Sequence, residues 1–447
     1  MQDGHYQKRL RNMYNYISDN LYLNRPDIEI KGEKFNSALL LGLLSAINRG
    51  KELIIGEPGL GKTTSAEYVG SIVYRYPLGV IWGSEVPGHP EQTEEKIIGR
   101  PHLGELSKGN EKVVWSNFAQ IPVKVVDEIN RLPETKQSMI LNGVDRGNWE
   151  YLNETLINDE YSLFATCNYQ DRGTNTIIPP LIDRFDILVE SRHPGPNIAF
   201  TIGMEAKRDH PLRHPEYEKR LHEILRGDEA YEEKMLLAEE ISDLFGEYMK
   251  ENLGLEGLTK QERRESSSQI EKIGFDLEAN SFTRMMLAEL SFCHKFGQKR
   301  SLEQCEEGCH YTGYLCHHVK NCASNRLPIS IRNYAQTLAW FLEDEEVDLE
   351  HVRLITPYTL AHRIQWKDSY LSKKEGEGRN DPLQIYMARE ATEEVFKRYS
   401  EQREYLTEAF SVAYRAFDQD EIAPLDGDHP IYEAIKRDIG AKDEKPV

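Results

Sequence analysis

The chain has 447 residues, 55 Lys and Arg against 75 Asp and Glu, and a net charge of −20. Hydrophobic residues make up 39% and charged residues 29%, enough apolar material for a sizeable core, so wholesale disorder is excluded. The acidic balance opposes non-specific polyanion binding, although a local basic patch can still bind nucleic acid.

In chain order, residues 1–50 read as helical. The first twenty residues are polar and contain no apolar stretch, so no secretory signal is expected and the expected location is cytoplasmic. Phe35–Ile47 has apolar positions at helical spacing and ends at Asn48-Arg49-Gly50, a C-cap signal. Its longest apolar run, Ala38–Ile47, is far short of the roughly 20 residues of a membrane span. Short apolar runs then alternate with longer mixed segments: Glu52–Ile55, Gly79–Trp82, Pro122–Val126, Ser162–Thr166 and Ile187–Val189. Such runs suit strands buried on both faces, and their spacing predicts an α/β layer fold with a parallel sheet. After residue 191 most segments read as helices, among them Tyr231–Leu253 and Asn280–Phe296. Segments 255–272 and 370–381 read as polar loops. The expected domains are residues 1–190 (α/β), 191–365 (helical) and 366–447 (a helical tail led by Pro382–Phe417). No internal repeat or low-complexity tract is present.

Gly56-Glu57-Pro58-Gly59-Leu60-Gly61-Lys62-Thr63 fits G-x-x-x-x-G-K-[ST] between a strand and a helical segment. Its glycines let the backbone turn tightly and bring N–H groups to phosphate oxygens, and the following helix points its positive end at the same anion. Residues 56–63 together with Thr64 are thus the expected nucleotide contacts. Lys62 is expected to reach the β- and γ-phosphates and Thr63 to hold Mg2+. The alternative is a glycine-rich turn with no ligand. Val123–Val126 runs into Asp127 and Glu128, two carboxylates at a strand end. Beside a phosphate loop, Asp127 would hold Mg2+ and Glu128 would activate the attacking water; alone, the pair would only solvate a strand end.

These residues resemble the MoxR family of AAA+ ATPases. The resemblance rests on GEPGLGKT at Gly56–Thr63 and on DEINR at Asp127–Arg131, continued by Pro133, Lys136 and Gln137. Phe164-Ala165-Thr166-Cys167-Asn168 is similar to the first sensor strand. Gly173-Thr174 and Pro179–Phe185 resemble the stretch before the fifth strand, Ser330-Ile331-Arg332 the second sensor, and Glu346–Ile364 the last lid helices. The likeness covers residues 28–190 and 325–365. It implies an AAA+ αβα domain with a five-stranded parallel sheet, a helical lid carrying a Cys-rich insertion, a helical C-terminal tail, and a hairpin insert within Ile97–Gln120 as a pore element. It further implies that Asn168 positions water, that Arg184 is an arginine finger acting on a neighbouring subunit, and that Arg332 touches phosphate from the lid. The bland alternatives are a turn cap for Asn168, a surface pair with Asp183 or Asp186 for Arg184, and a solvated helix position for Arg332. A trans-acting Arg184 implies a homo-oligomeric ring, a hexamer.

Two segments depart from the family. Residues 195–280 look like an added helical bundle whose interleaved charges suit a solvated face. Cys305, Cys309, Cys316 and Cys322 place four thiols close together, near His294, His310, His317 and His318. Four such thiolates can converge on Zn2+; a [4Fe–4S] cluster is the alternative, and free thiols or disulfides a third. Cys167 and Cys293 read as ordinary buried thiols.

The expected function is ATP-driven remodelling, assembly or activation of a partner protein, with a von Willebrand A-domain protein as the partner the resemblance suggests. The alternative is a nucleic-acid motor, opposed by the net charge. A non-hydrolysing scaffold is opposed by intact Lys62, Asp127, Glu128, Asn168 and Arg184.

Overall fold

The computed structural model describes residues 4–169, 177–204, 210–291, 314–375, 383–421, 423–425 and 430–443. The chain divides into two compact units, residues 1–270 with 340–343, and residues 271–339 with 344–447.

The first unit is built on a parallel sheet of β1 (Lys51–Gly56), β2 (Val86–Pro87), β3 (Val123–Asp127), β4 (Ser162–Asn168) and β5 (Ile187–Glu190). Their spatial order is β5-β1-β4-β3-β2. The register sets Asn168 at the end of β4 opposite Gly56 at the end of β1. Helix α1 (Ser37–Asn48) buries nearly all its residues and ends at Arg49 in the left-handed conformation, as the Asn-Arg-Gly signal predicts. Helix α2 (Lys62–Tyr74) packs on α1 and on β3. Flanking helices over a parallel sheet are the expected AAA+ arrangement.

One of the five predicted strands is elsewhere. Gly79–Trp82 lies inside helix α3 (Leu78–Ser84), which buries Leu78, Val80 and Ile81. Pro77 precedes it and its carbonyl takes the Val80 N–H, starting a helical turn. Four apolar residues carry no period long enough to separate strand from helix. The actual fifth strand is Val86–Pro87, short and at the sheet edge, where a proline costs no ladder bond. The region before residue 50 is likewise not all helix: Ile28–Ile30 and Glu33–Phe35 form an antiparallel hairpin.

Within 97–120 an antiparallel hairpin does form, from Gly99–Pro101 and Val113–Trp115. A second hairpin, Asn148–Tyr151 with Glu154–Ile157, follows helix α4 (Glu134–Arg146). Residues 215–253 form helices α5 (Pro215–Arg226) and α6 (Tyr231–Leu253) and belong to this unit, not to a lid starting at residue 191. Specific bonds account for this placement. Leu78 N–H donates to Leu212 O at 2.9 Å, and buried Arg75 pairs with Glu239 at 2.8 Å and with Asp243. Segment 255–272, expected as a loop, contains α7 (Lys260–Ile270). The helix is polar at every position but Ile270, so no apolar stripe announces it.

The second unit is helical. Its helices include α8 (Leu277–Ser291), α9 (Arg326–Leu342, whose last turn joins the first unit), α10 (Leu349–Leu360), α11 (Leu383–Glu401) and α12 (Arg403–Asp418). Asp368–Glu375 is also a helix, where 370–381 read as a loop. A buried ion pair, Glu289 with Arg398, ties α8 to α11. No described helix is long and apolar enough to cross a membrane.

Candidate nucleotide site

The β1–α2 turn is shaped by three glycines at positive φ: Gly56 (154°), Gly59 (78°) and Gly61 (75°). At Gly56 a Cβ would stand 2.6 Å from the Ser191 carbonyl, so only glycine fits. Two residues with no local signal brace the loop. The Ser191 hydroxyl donates to Leu60 O at 2.7 Å and meets the buried Tyr22 hydroxyl at 2.8 Å. Both come from distant parts of the sequence, which is why no motif revealed them.

Lys62 opens α2 and is buried. Its ammonium donates to Gly56 O at 3.0 Å, Glu57 O at 2.9 Å and Asn168 Oδ1 at 2.7 Å. Burial pulls its pKa below the usual lysine value, while Asp127 and Glu128 act in the opposite direction. The next residue, Thr63, donates its hydroxyl to Asp127 Oδ1 at 2.6 Å. Thr166 donates to the same oxygen at 2.6 Å and accepts the Glu128 N–H at 2.8 Å. A polar residue in the otherwise apolar run of β4 was the legible trace of Thr166. The two carboxylates that are adjacent in sequence therefore have different surroundings. Asp127 lies against the hydroxyl of the phosphate loop. Glu128, in a left-handed backbone conformation (φ 48°), accepts from Asn168 Nδ2 and pairs with Arg131 at 3.0 Å.

The arrangement joins Lys62, Thr63, Asp127, Glu128 and Asn168 in one hydrogen-bonded cluster at the carboxyl ends of β1, β3 and β4, where open parallel sheets bind ligands. A buried ammonium, glycine-turned backbone and a helix N-terminus suit a triphosphate. The Thr63 hydroxyl and the Asp127 carboxylate are hard oxygen donors side by side, which suits Mg2+. These two residues would hold the ion, which would supply positive charge against the phosphates. Burial pushes the Cys167 thiol up to about 11, so at neutral pH it stays a protonated, unreactive neighbour.

Arg184 makes its bonds to other residues than those of this cluster. Arg184 pairs through Nε with Asp145 of α4 at 2.6 Å and donates to Pro180 O at 2.7 Å. Its surface partner is thus Asp145, while Asp186 accepts the Lys51 N–H at 2.9 Å. Gln137, buried on α4, donates to Leu132 O at 3.0 Å and accepts the Ile178 N–H at 2.8 Å, linking the DEINR segment to the approach to Arg184. Arg332 is exposed on α9 in the second unit. Gly173, Thr174, Cys293, Cys305 and Cys309 lie outside the described residues. Cys316 is buried and Cys322 exposed. Among the described residues no cluster of three or more His, Cys, Asp or Glu is arranged to hold a metal.

Residues 52–185 match the family profile of the AAA domain (dynein-related subfamily). No curated protein matches the chain. Among solved structures, a candidate ATPase of Cytophaga hutchinsonii is similar in fold, with a TM-score of 0.53 at 16% identity, over 88% of this chain and 94% of that one. The matched segment runs from the strand that leads into the phosphate loop to the residue after Arg184, and so contains the whole cluster around Lys62. The glycine-turned loop, the Asp127–Thr63 pair and the sheet order agree with that match, and residues 52–185 form an AAA domain whose site is that of an ATP-hydrolysing enzyme.

Proposed function

We propose that the chain is a MoxR-type motor that assembles as a ring, most simply a hexamer, and couples ATP hydrolysis to the remodelling, assembly or activation of a partner protein. In this reading Glu128 is the general base, Asn168 positions the attacking water, Arg184 completes the site of a neighbouring protomer, and Arg332 acts on phosphate from the lid.

The observation that favours a protein client is the hairpin at 99–115. Between its strands Leu103 and Leu106 are 69% and 47% exposed, apolar side chains offered to solvent. Its cations are meanwhile matched by carboxylates of the same chain. Arg100 pairs with Glu95 at 2.9 Å, Lys108 with Glu105 at 2.7 Å, and Lys112 with Asp228 at 3.6 Å. Apolar tips with neutralised cations suit a polypeptide better than a phosphate backbone. The test compares ATP turnover with an unfolded polypeptide and with single-stranded DNA, in wild type and in Leu103→Asp/Leu106→Asp. Polypeptide stimulation that disappears in the double variant supports the reading. Stimulation by DNA that falls steeply with salt would replace it with nucleic-acid translocation.

A von Willebrand A-domain protein is the proposed partner. For the cysteines at 305, 309, 316 and 322 the proposed ligand is Zn2+, with a [4Fe–4S] cluster as the alternative. Elemental analysis separates these, since zinc alone, or iron with sulfide, identifies the group, and a metal-free active protein removes both.

A further inference from the structure

We propose that the outer face of α6 is a docking surface for a basic amphipathic helix of a partner protein.

Helix α6 is anchored along one side. Lys234, Ala238, Ile241, Phe245 and Met249 recur at steps of three and four residues and are buried. The carboxylates Glu239 and Asp243 are matched within the chain, both by Arg75. The opposite side carries a second row. Glu233, Leu237, Glu240, Leu244, Glu247 and Glu251 recur at alternating steps of four and three, and all six are exposed. Leu237 is 36% exposed and Leu244 37%, while Leu236, beside the row, is 71% exposed. Among the described residues none of the four glutamates is paired with a cation. Alternating steps of four and three keep the same positions facing a second helix, which is the spacing of a two-helix seam. Single exposed leucines need no explanation, but here they repeat at a seven-residue interval in step with the acids.

The charges choose the occupant. A second copy of the chain would bring two rows of carboxylates onto one seam, and its net charge of −20 adds to the repulsion. A nucleic acid meets the same repulsion. A helix with apolar residues opposite Leu237 and Leu244, and with Lys or Arg opposite Glu233, Glu240 and Glu247, gains both apolar burial and charge pairing. From Glu233 to Glu251 the row runs about 27 Å at 1.5 Å per residue, which accommodates about five turns of such a segment.

The experiment measures binding of a fluorescein-labelled synthetic peptide to the full chain by fluorescence anisotropy at physiological salt. The peptide has three heptads, with Leu at one seam position and Lys at the other; the same peptide with Glu for Lys is the control. Wild type is expected to bind the Lys peptide and not the Glu peptide. Leu237→Asn/Leu244→Asn is expected to weaken binding about tenfold or more, the scale of losing central anchors of an interface. Glu240→Lys/Glu247→Lys is expected to lose the Lys peptide and to bind the Glu peptide instead. Glu401→Lys/Glu404→Lys makes the same change of net charge at exposed residues of the second unit and is expected to bind like wild type. Tm and basal ATP turnover near wild type show that each variant is folded, and if the leucine pair proves unstable the charge exchange decides alone. No binding of the Lys peptide to wild type overturns the surface and leaves a solvated face. Equal weakening in the Glu401/Glu404 variant also overturns it, since the peptide then follows net charge. Dissociation of an oligomer by the leucine pair, seen by sedimentation, without loss of peptide binding would assign the face to a second copy instead.

Discussion

Lys62 and Glu128 stand at two places in one hydrogen-bonded chain through Asn168, yet their removal should have separable effects. Lys62→Ala deletes the ammonium that the phosphates would meet, so binding of a fluorescent ATP analogue should be lost along with turnover. Glu128→Gln leaves that ammonium in place. It should bind ATP with near-normal affinity and hydrolyse it roughly 10²- to 10⁴-fold more slowly, the usual worth of a general base. Equal loss of binding in both variants would contradict the division of roles. At this scale much of the site was legible. The loop residues are contiguous, as are Asp127 and Glu128, and contiguous residues on a strand-to-helix turn have little freedom in where they go. Tyr22 and Ser191 were not legible, because their value lies in meeting each other and the Leu60 carbonyl across 169 positions of sequence.

At the scale of the element, β1 carries an ionisable residue in the buried interior of the sheet. Glu52 is fully buried under α1, with its carboxylate facing Gly42. Burial pushes its pKa up from 4.5 to about 8, with a hydrogen bond from Ser45 acting against this. The folded chain therefore keeps a proton that the unfolded chain releases. Glu52 contributes stability that is fully present below about 4.5 and lost as pH rises through about 8. Glu52→Gln removes that titration. Chemical denaturation should show wild type losing stability relative to the variant across this window, on the order of a few kcal/mol. Parallel pH profiles would show that Glu52 is not the group responsible. Lys124, on β3, is a second buried ionisable group, and burial pulls its pKa well below the usual lysine value. Its ammonium donates to the carbonyls of Phe118 (2.6 Å), Ala119 (3.0 Å) and Ile121 (3.2 Å) and sits among the rings of Phe118, Trp149 and Tyr161. It caps the turn that leads from the hairpin insert into the strand ending at Asp127. Nothing in the pattern Pro-Val-Lys-Val-Val separates such a lysine from an exposed one. The run at Gly79–Trp82 was misleading for a related reason: apolar content shows burial, and only length or period shows the type of element.

At the scale of the whole molecule, the ring reading makes activity a property of the assembly. Arg184 is tied to Asp145 and the Pro180 carbonyl rather than to the Lys62 cluster. Specific ATP turnover should therefore rise with protein concentration. Arg184→Ala should bind ATP normally and lose roughly 10³-fold of the assembled rate, the lower range for an arginine finger. Mixing Arg184→Ala with Lys62→Ala protein should recover part of the activity, since one variant keeps an intact pocket and the other an intact finger. A rate per chain that is independent of concentration, with no recovery on mixing, would argue for a site complete within one protomer. The two compact units also show that the added helices at 215–253 are bound to the nucleotide unit, where Arg75, Glu239 and Asp243 meet.

By itself, the sequence determined the α/β class, the phosphate loop, the carboxylate pair and the helical character of the second half, because each depends on residues close along the chain or on a simple period. Tertiary structure decided which apolar run became the edge strand, that residues 191–270 join the first unit, that Arg184 meets Asp145, and that Arg131 reaches Glu128. Each of those outcomes is a choice between partners of similar local chemistry. Only the folded packing, by fixing which groups come within bonding distance, selects among them.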